Sequence, residues 1–119
     1  MVLKGVEIFL QKEQNIKIIF FGDEVKIIEI INKHNLKIFN YEIVNTQETI
    51  SDEDSVNTIL RSKKNSSIYK GLEYSKNNLN SGFVSSGSTA AIMVLSRFHM
   101  GMIEGIDRPA ICSLVPNKK

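Results

Sequence analysis

At 119 residues, with 42% hydrophobic and 24% charged side chains, the chain has the length of one folded domain with a modest core, and its composition excludes a disordered polypeptide. A formal charge of +2, with no Lys/Arg block beyond Lys63-Lys64 and Lys118-Lys119, excludes the basic footprint of a nucleic-acid binder. The lone Cys112 rules out an internal disulfide and suits a reducing, cytoplasmic compartment, while the longest apolar segment, Ala90 to Leu95, falls far short of the ~20 residues of a spanning helix.

In chain order, Val2, Leu3, Val6, Phe9 and Leu10 recur at helical spacing and predict an amphipathic helix from 2 to about 13. Lys4, Glu7, Lys12 and Glu13 interrupt it, so it is no secretory signal core. Ile16 to Phe21 is a short apolar run of the kind a strand covered on both faces shows. Gly22-Asp23 ends it, with Asp23 placed to cap a helix that turns Val25, Ile27, Ile28 and Ile31 inward and stops near Asn35. Lys37 to Val44 alternates and predicts a second strand. Asn45 to Ser55 reads as a solvated loop, Val56 to Arg61 as a short helix, and Ser66 or Ser67 as the cap of a helix running to about Lys76.

After a loop from Asn77 to Gly82, Phe83-Val84-Ser85 predicts a short strand, and Thr89 to Ile103 a helix apolar nearly all round and therefore deeply buried. Pro109 sets a boundary before a fourth strand from Ala110 to Leu114. Alternating strands and helices place the chain in the α/β class with a mainly parallel sheet, one partial domain spanning 1–119. The opening helix with no strand before it, and a strand at the end with no helix to cover it, give the expectation of a fold truncated at both ends.

Ser85-Ser86-Gly87-Ser88-Thr89 joins the predicted strand to the predicted helix. Unpaired N–H groups at a helix start, the positive end of the helix dipole, a glycine permitting close approach and several hydroxyls together suit an anion. Ser88 acting only as a helix cap is the equally weighted alternative. In Gly105-Ile106-Asp107-Arg108-Pro109, Arg108 either braces the turn with Asp107 or clamps an oxyanion with Asp107 orienting it. Lys63-Lys64-Asn65-Ser66-Ser67 is a solvated loop with a cap, or a phosphate-facing edge. His34 and His99 stand far apart without ligand-spaced partners, so no metal site is expected. Cys112 reads as a small buried hydrophobe, and Met93, Met100 and Met102 as core filling.

The order of Phe21-Gly22-Asp23-Glu24, Arg61 to Ser67, and the long run from Gly82 through Ala91 to Gly105-Ile106-Asp107-Arg108-Pro109-Ala110 resembles the bacterial phosphate acyltransferase of phospholipid synthesis. The C-terminal run is the specific part, and the likeness covers only the early portion of a family member. Ser88 stands where the family usually has Asn, and Ala90 where it usually has Gly. The resemblance implies a Rossmann-like, doubly wound three-layer α/β/α sandwich, present in part and without the family's first strand and later half. It implies an enzyme that forms acyl phosphate from acyl carrier protein thioester and inorganic phosphate, without a cofactor. Partners implied are acyl carrier protein, phosphate, a second copy in a homodimer, and a functional link to a membrane glycerol-3-phosphate acyltransferase, which would place it in the cytoplasm or peripherally at the membrane. On this reading Ser85, Ser86, Gly87, Ser88 and Thr89 bind phosphate or the developing oxyanion, Lys64 and Arg108 supply charge, and Asp107 orients Arg108. The missing parts and the two departures predict that this chain alone does not turn over at a useful rate. The alternatives are a non-catalytic binding fragment and a generic phospho-ligand domain.

Overall fold

A β-α-β unit organises the first half of the chain. The structure, a computed structural model describing residues 2–112, runs α1 (Val2–Lys12), β1 (Ile18–Gly22), α2 (Glu24–Lys33), β2 (Tyr41–Asn45), α3 (Val56–Arg61), α4 (Ser67–Asn77) and α5 (Thr89–Met100). β1 and β2 pair in parallel, Ile18 opposite Tyr41 and Gly22 opposite Asn45, so the chain must cross over between them, and α2 makes that crossover. Asp23 caps α2, its carboxylate accepting the Lys26 N–H at 3.2 Å. That bond holds the Asp23 carboxyl below its ordinary pKa.

Strand alternation gives each face of the sheet its own partners. Phe20 is buried with Leu10 of α1 and with Ile38; Leu3, Val6, Ile18, Ile27, Ile31 and Ile43 pack around them, so α1 and α2 cover this face. Phe21 points the other way and meets Tyr74 of α4 with ring centroids 5.8 Å apart. Helices therefore lie on both faces of a short parallel sheet, the α/β arrangement expected of part of a Rossmann-like fold. A second core joins α3, α4 and α5 through Ile59, Ile68, Tyr69, Leu72, Ala91 and Leu95, with Phe83 against it.

Several expected elements differ. The second strand begins at Tyr41 rather than Lys37, because Asn40 takes a left-handed backbone with φ of 55° and breaks the extended run. β1 accordingly begins at Ile18, opposite Tyr41, and not at Ile16. Phe83-Val84-Ser85 is irregular: its backbone pairs with no strand among the described residues, Phe83 turns onto α4, and Val84 is 88% exposed. α5 stops at Met100, where Gly101 has φ of 76°, three residues before the expected end at Ile103. Nor is α5 buried all round. Ala91, Leu95 and His99 form one buried stripe at i, i+4 and i+8, while Phe98 and Met100 are exposed, so the methionines as a set do not fill the core. Ala110 to Cys112 is irregular and exposed rather than the start of a strand, Cys112 included; Ser113 and Leu114 lie outside the described residues.

Candidate functional site

Parallel strands deliver their C-terminal ends to the same edge of a sheet, and open α/β proteins form ligand clefts there. Here Gly22 and Asn45, the last residues of β1 and β2, line a cleft of about 750 Å³. Asp23 and Glu24 at the start of α2, Ser66 and Ser67 at the start of α4, and Val84 to Ser88 line it too. Three helix starts thus border one space. An adjoining open hollow of about 550 Å³ shares Ile50, Ser86, Gly87 and Ser88 and is lined further by Ser51, Asp52, Thr89 and Ala90.

Each helix start is held differently. α4 is capped tightly: the Ser66 hydroxyl donates to the Lys63 carbonyl at 2.7 Å and accepts the Tyr69 N–H at 3.3 Å. α2 is tied to β2, since the Glu24 N–H donates to Asn45 Oδ1 at 3.2 Å. At α5 the Ser88 hydroxyl accepts the Ala91 N–H at 3.5 Å, the longest of these caps and at the limit of a useful hydrogen bond. Thr89 and Ala90, the first residues of α5, present N–H groups that no helical turn can satisfy, and both border the adjoining hollow. The Gly87 N–H is already engaged, donating to Ser85 Oγ at 3.0 Å. Gly87 also lies against Ile68: a Cβ there would stand 2.9 Å from Ile68 Cδ1.

The loop after β2 is not free in solvent. The Glu48 carboxylate accepts the Asn65 N–H at 2.7 Å, and Lys63 reaches both the Thr49 carbonyl at 2.9 Å and the Asp54 carboxylate at 3.7 Å. Sequence reasoning singled out Lys64, yet Lys63 is the lysine that pins this loop to the start of α4. Thr46, which sequence reasoning passed over, is 5% exposed and lines the cleft. Its position just beyond the C-terminal end of a parallel strand was the signal available for it.

Of the residues singled out from sequence, Ser85, Ser86, Gly87 and Ser88 stand together on the cleft, and Thr89 borders the hollow beside it. Lys64, Asp107 and Arg108 are exposed and are not among the lining residues. The rest of the wall carries Asp23, Glu24 and Glu48 against Lys26, so hydroxyls and N–H groups, not an excess of positive side chains, are what this cleft offers an anion. Among the described residues no group of three His, Cys, Asp or Glu is placed to hold a metal ion, and no helix is long and apolar enough to cross a membrane.

Fold and cleft define an α/β protein with an open cleft at the carboxyl edge of a parallel sheet. The chain belongs to the fatty acid synthesis protein family, whose signature matches residues 1–119. It is similar to the phosphate acyltransferase of Caldicellulosiruptor bescii, 38% identical over 117 residues that cover 98% of this chain and 35% of that protein. It is similar also to the phosphate acyltransferases of Clostridium tetani, at 37% with 98% and 35% covered, and of Ehrlichia ruminantium, at 35% with 89% and 31% covered. The chain thus spans about a third of the length of the curated relatives it matches.

Proposed function

We propose that this chain carries the phosphate-holding part of a phosphate acyltransferase, an enzyme that moves a fatty acyl group from acyl carrier protein onto inorganic phosphate. The observation that carries the reading is the under-capped start of α5, next to Gly87, at the carboxyl edge of the sheet. In the reaction a phosphate oxygen attacks the thioester carbonyl, a C–O bond forms, the C–S bond breaks, and the carrier thiolate leaves and takes a proton. No nucleophile on the enzyme is required. Its work is to hold phosphate against the thioester and to stabilise the oxyanion that develops on the carbonyl. Thr89 and Ala90 N–H groups with the hydroxyls of Ser85, Ser86 and Ser88 would serve the phosphate. Lys64 and Arg108 would add charge, with Asp107 orienting Arg108, from outside the cleft lining.

Acyl carrier protein and phosphate are the partners this reading names, together with a homodimer and a downstream glycerol-3-phosphate acyltransferase in the membrane. The position of Lys64, Asp107 and Arg108 outside the lining favours a second reading, in which this chain binds but does not turn over. A site that must hold two substrates together depends on where its charged groups stand, and a displacement of about 1 Å can cost ~100-fold in rate. The test is acyl-phosphate formation from acyl carrier protein thioester and phosphate by the purified chain, alone and mixed with the later part of a relative. Turnover only in the mixture supports the acyltransferase reading; phosphate binding with no turnover in either supports the binding module. Arg108→Lys in an active relative should lower activity with little change in melting temperature if Arg108 clamps an oxyanion, because an ammonium cannot reproduce the bidentate fork.

A further inference from the structure

Thr46 follows directly on β2, and its N–H donates to the Gly22 carbonyl at 2.9 Å, continuing the ladder by one residue. Its backbone is therefore pinned at the sheet's carboxyl edge, and its branched Cβ leaves the side chain few rotamers. The residue is 95% buried (5% exposed) yet lines the cleft. No hydrogen bond formed among the described residues uses its hydroxyl. A fully sealed hydroxyl without a partner would be an orphan, but the sealed, unpaired side-chain atom among the described residues is His99 Nε2, on the far end of α5. The Thr46 hydroxyl thus keeps a small accessible area, and the space that Thr46 borders is the cleft.

Buried polar groups are normally paired, and a held hydroxyl with no internal partner, on a residue that lines a cleft, is open to a partner from outside the chain. We propose that the Thr46 hydroxyl donates a hydrogen bond to an anion bound in this cleft, so that phosphate is held from the end of β2 as well as from the Ser85–Ser88 turn that leads into α5. The proposal rests on the anion reading above and adds to it a specific contact. A hydroxyl donor also suits the wall it stands on, because the carboxylates of Asp23 and Glu48 nearby in the lining offer an anion nothing. Ser66, the other buried hydroxyl on the lining, is not available in this way, since both its donor and an acceptor position are used in capping α4.

The test is titration of the full chain with inorganic phosphate, followed by amide NMR shifts at residues 85 to 92, for the wild type, Thr46→Val and Thr46→Ser, with melting temperature measured on each. Thr46→Val keeps the shape and removes the donor. Loss of a hydrogen bond to a charged group predicts phosphate binding weakened about tenfold or more, with Thr46→Ser close to wild type. Melting temperature should hold or rise in Thr46→Val, because no internal partner is left stranded. Unchanged phosphate affinity in Thr46→Val overturns the assignment and leaves the anion site standing. Equal weakening in Thr46→Val and Thr46→Ser also overturns it, since the methyl packing would then be what matters. Absence of any phosphate-dependent shift at residues 85 to 92 in the wild type overturns both this contact and the anion site on which it rests.

Discussion

Gly87 lies so close to Ile68 that a Cβ at 87 would stand 2.9 Å from Ile68 Cδ1 and 3.2 Å from Ser85 Oγ. The turn before α5 is thereby seated on the first turn of α4, and the glycine is there for space. Its φ is not in the left-handed region, so the argument is one of contact and not of backbone strain.

Gly87→Ala should therefore cost roughly 1 kcal/mol, at the low end for overpacking, because the atom in the way is the end of a flexible side chain. The larger effect should fall on phosphate binding, as the turn lifts away from α4. Combining Gly87→Ala with Ile68→Val removes the clashing methyl and should restore binding relative to Gly87→Ala alone. Chemical denaturation and phosphate titration of the wild type and the two variants check this.

Gly71 gives a harsher case. A Cβ on this α4 residue would lie 2.1 Å from Phe83 Cε2, so the ring must leave its place. Alanine gains up to about 1 kcal/mol of helix propensity, but expelling a half-buried phenylalanine forfeits roughly 2 kcal/mol. Gly71→Ala should be destabilised by about 1 kcal/mol, and in a Phe83→Ala background the same substitution should become neutral or stabilising. A double-mutant cycle by urea melts reads the coupling directly.

Ser66 is 1% exposed and its hydroxyl serves two bonds at once. Ser66→Ala removes the α4 cap and leaves the Tyr69 N–H without its acceptor, while the Lys63 carbonyl keeps the Ser66 N–H, with an expected loss of about 1–2 kcal/mol. Ser67→Ala, one residue along and outside the cap, should change stability by less than about 0.5 kcal/mol. Thermal melts of the pair distinguish the capping serine from its neighbour.

His99 predicts a pH dependence. The residue is 6% exposed, its ring meets Tyr69 edge-on at 4.5 Å and Phe98 at 5.0 Å, and its Nε2 has no partner among the described residues. Burial pushes its pKa below the ordinary histidine value, with the nearby Glu73 charge opposing and Lys76, also on α4, adding to the shift. The unfolded chain therefore takes up the proton first as pH falls. Stability is full above the ordinary value near 6.5 and declines from there down to the folded-state pKa, with a slope of at most about 1.4 kcal/mol per pH unit from this one group. His99→Leu should flatten that part of the stability–pH profile, measured by denaturant melts from neutral to mildly acid pH.

The helices and their starts were legible in the residues because a helix is closed by bonds four residues apart. Leu3, Val6 and Leu10 announce the buried stripe of α1, and Asp23 and Ser66 the caps of α2 and α4, without reference to anything distant. The cluster from Ser85 to Thr89 was legible for the same reason, as the small-residue approach to α5.

Strands answer to partners that the local sequence does not contain. Phe83-Val84-Ser85 has strand-forming residues, but with no strand beside its backbone among the described residues it places Phe83 on α4 instead; Lys37 to Asn40 alternates properly, and the left-handed Asn40 still keeps it out of the ladder. Lys63 and Lys64 are indistinguishable as letters, and only the return of the 46–54 loop toward α4 makes Lys63 the tether. Thr46 looks like any polar residue after a strand. Its hydroxyl acquires meaning because the fold brings the end of β2 and the Ser85–Ser88 turn to one cleft, a juxtaposition of residues some forty apart that the chain makes only by folding.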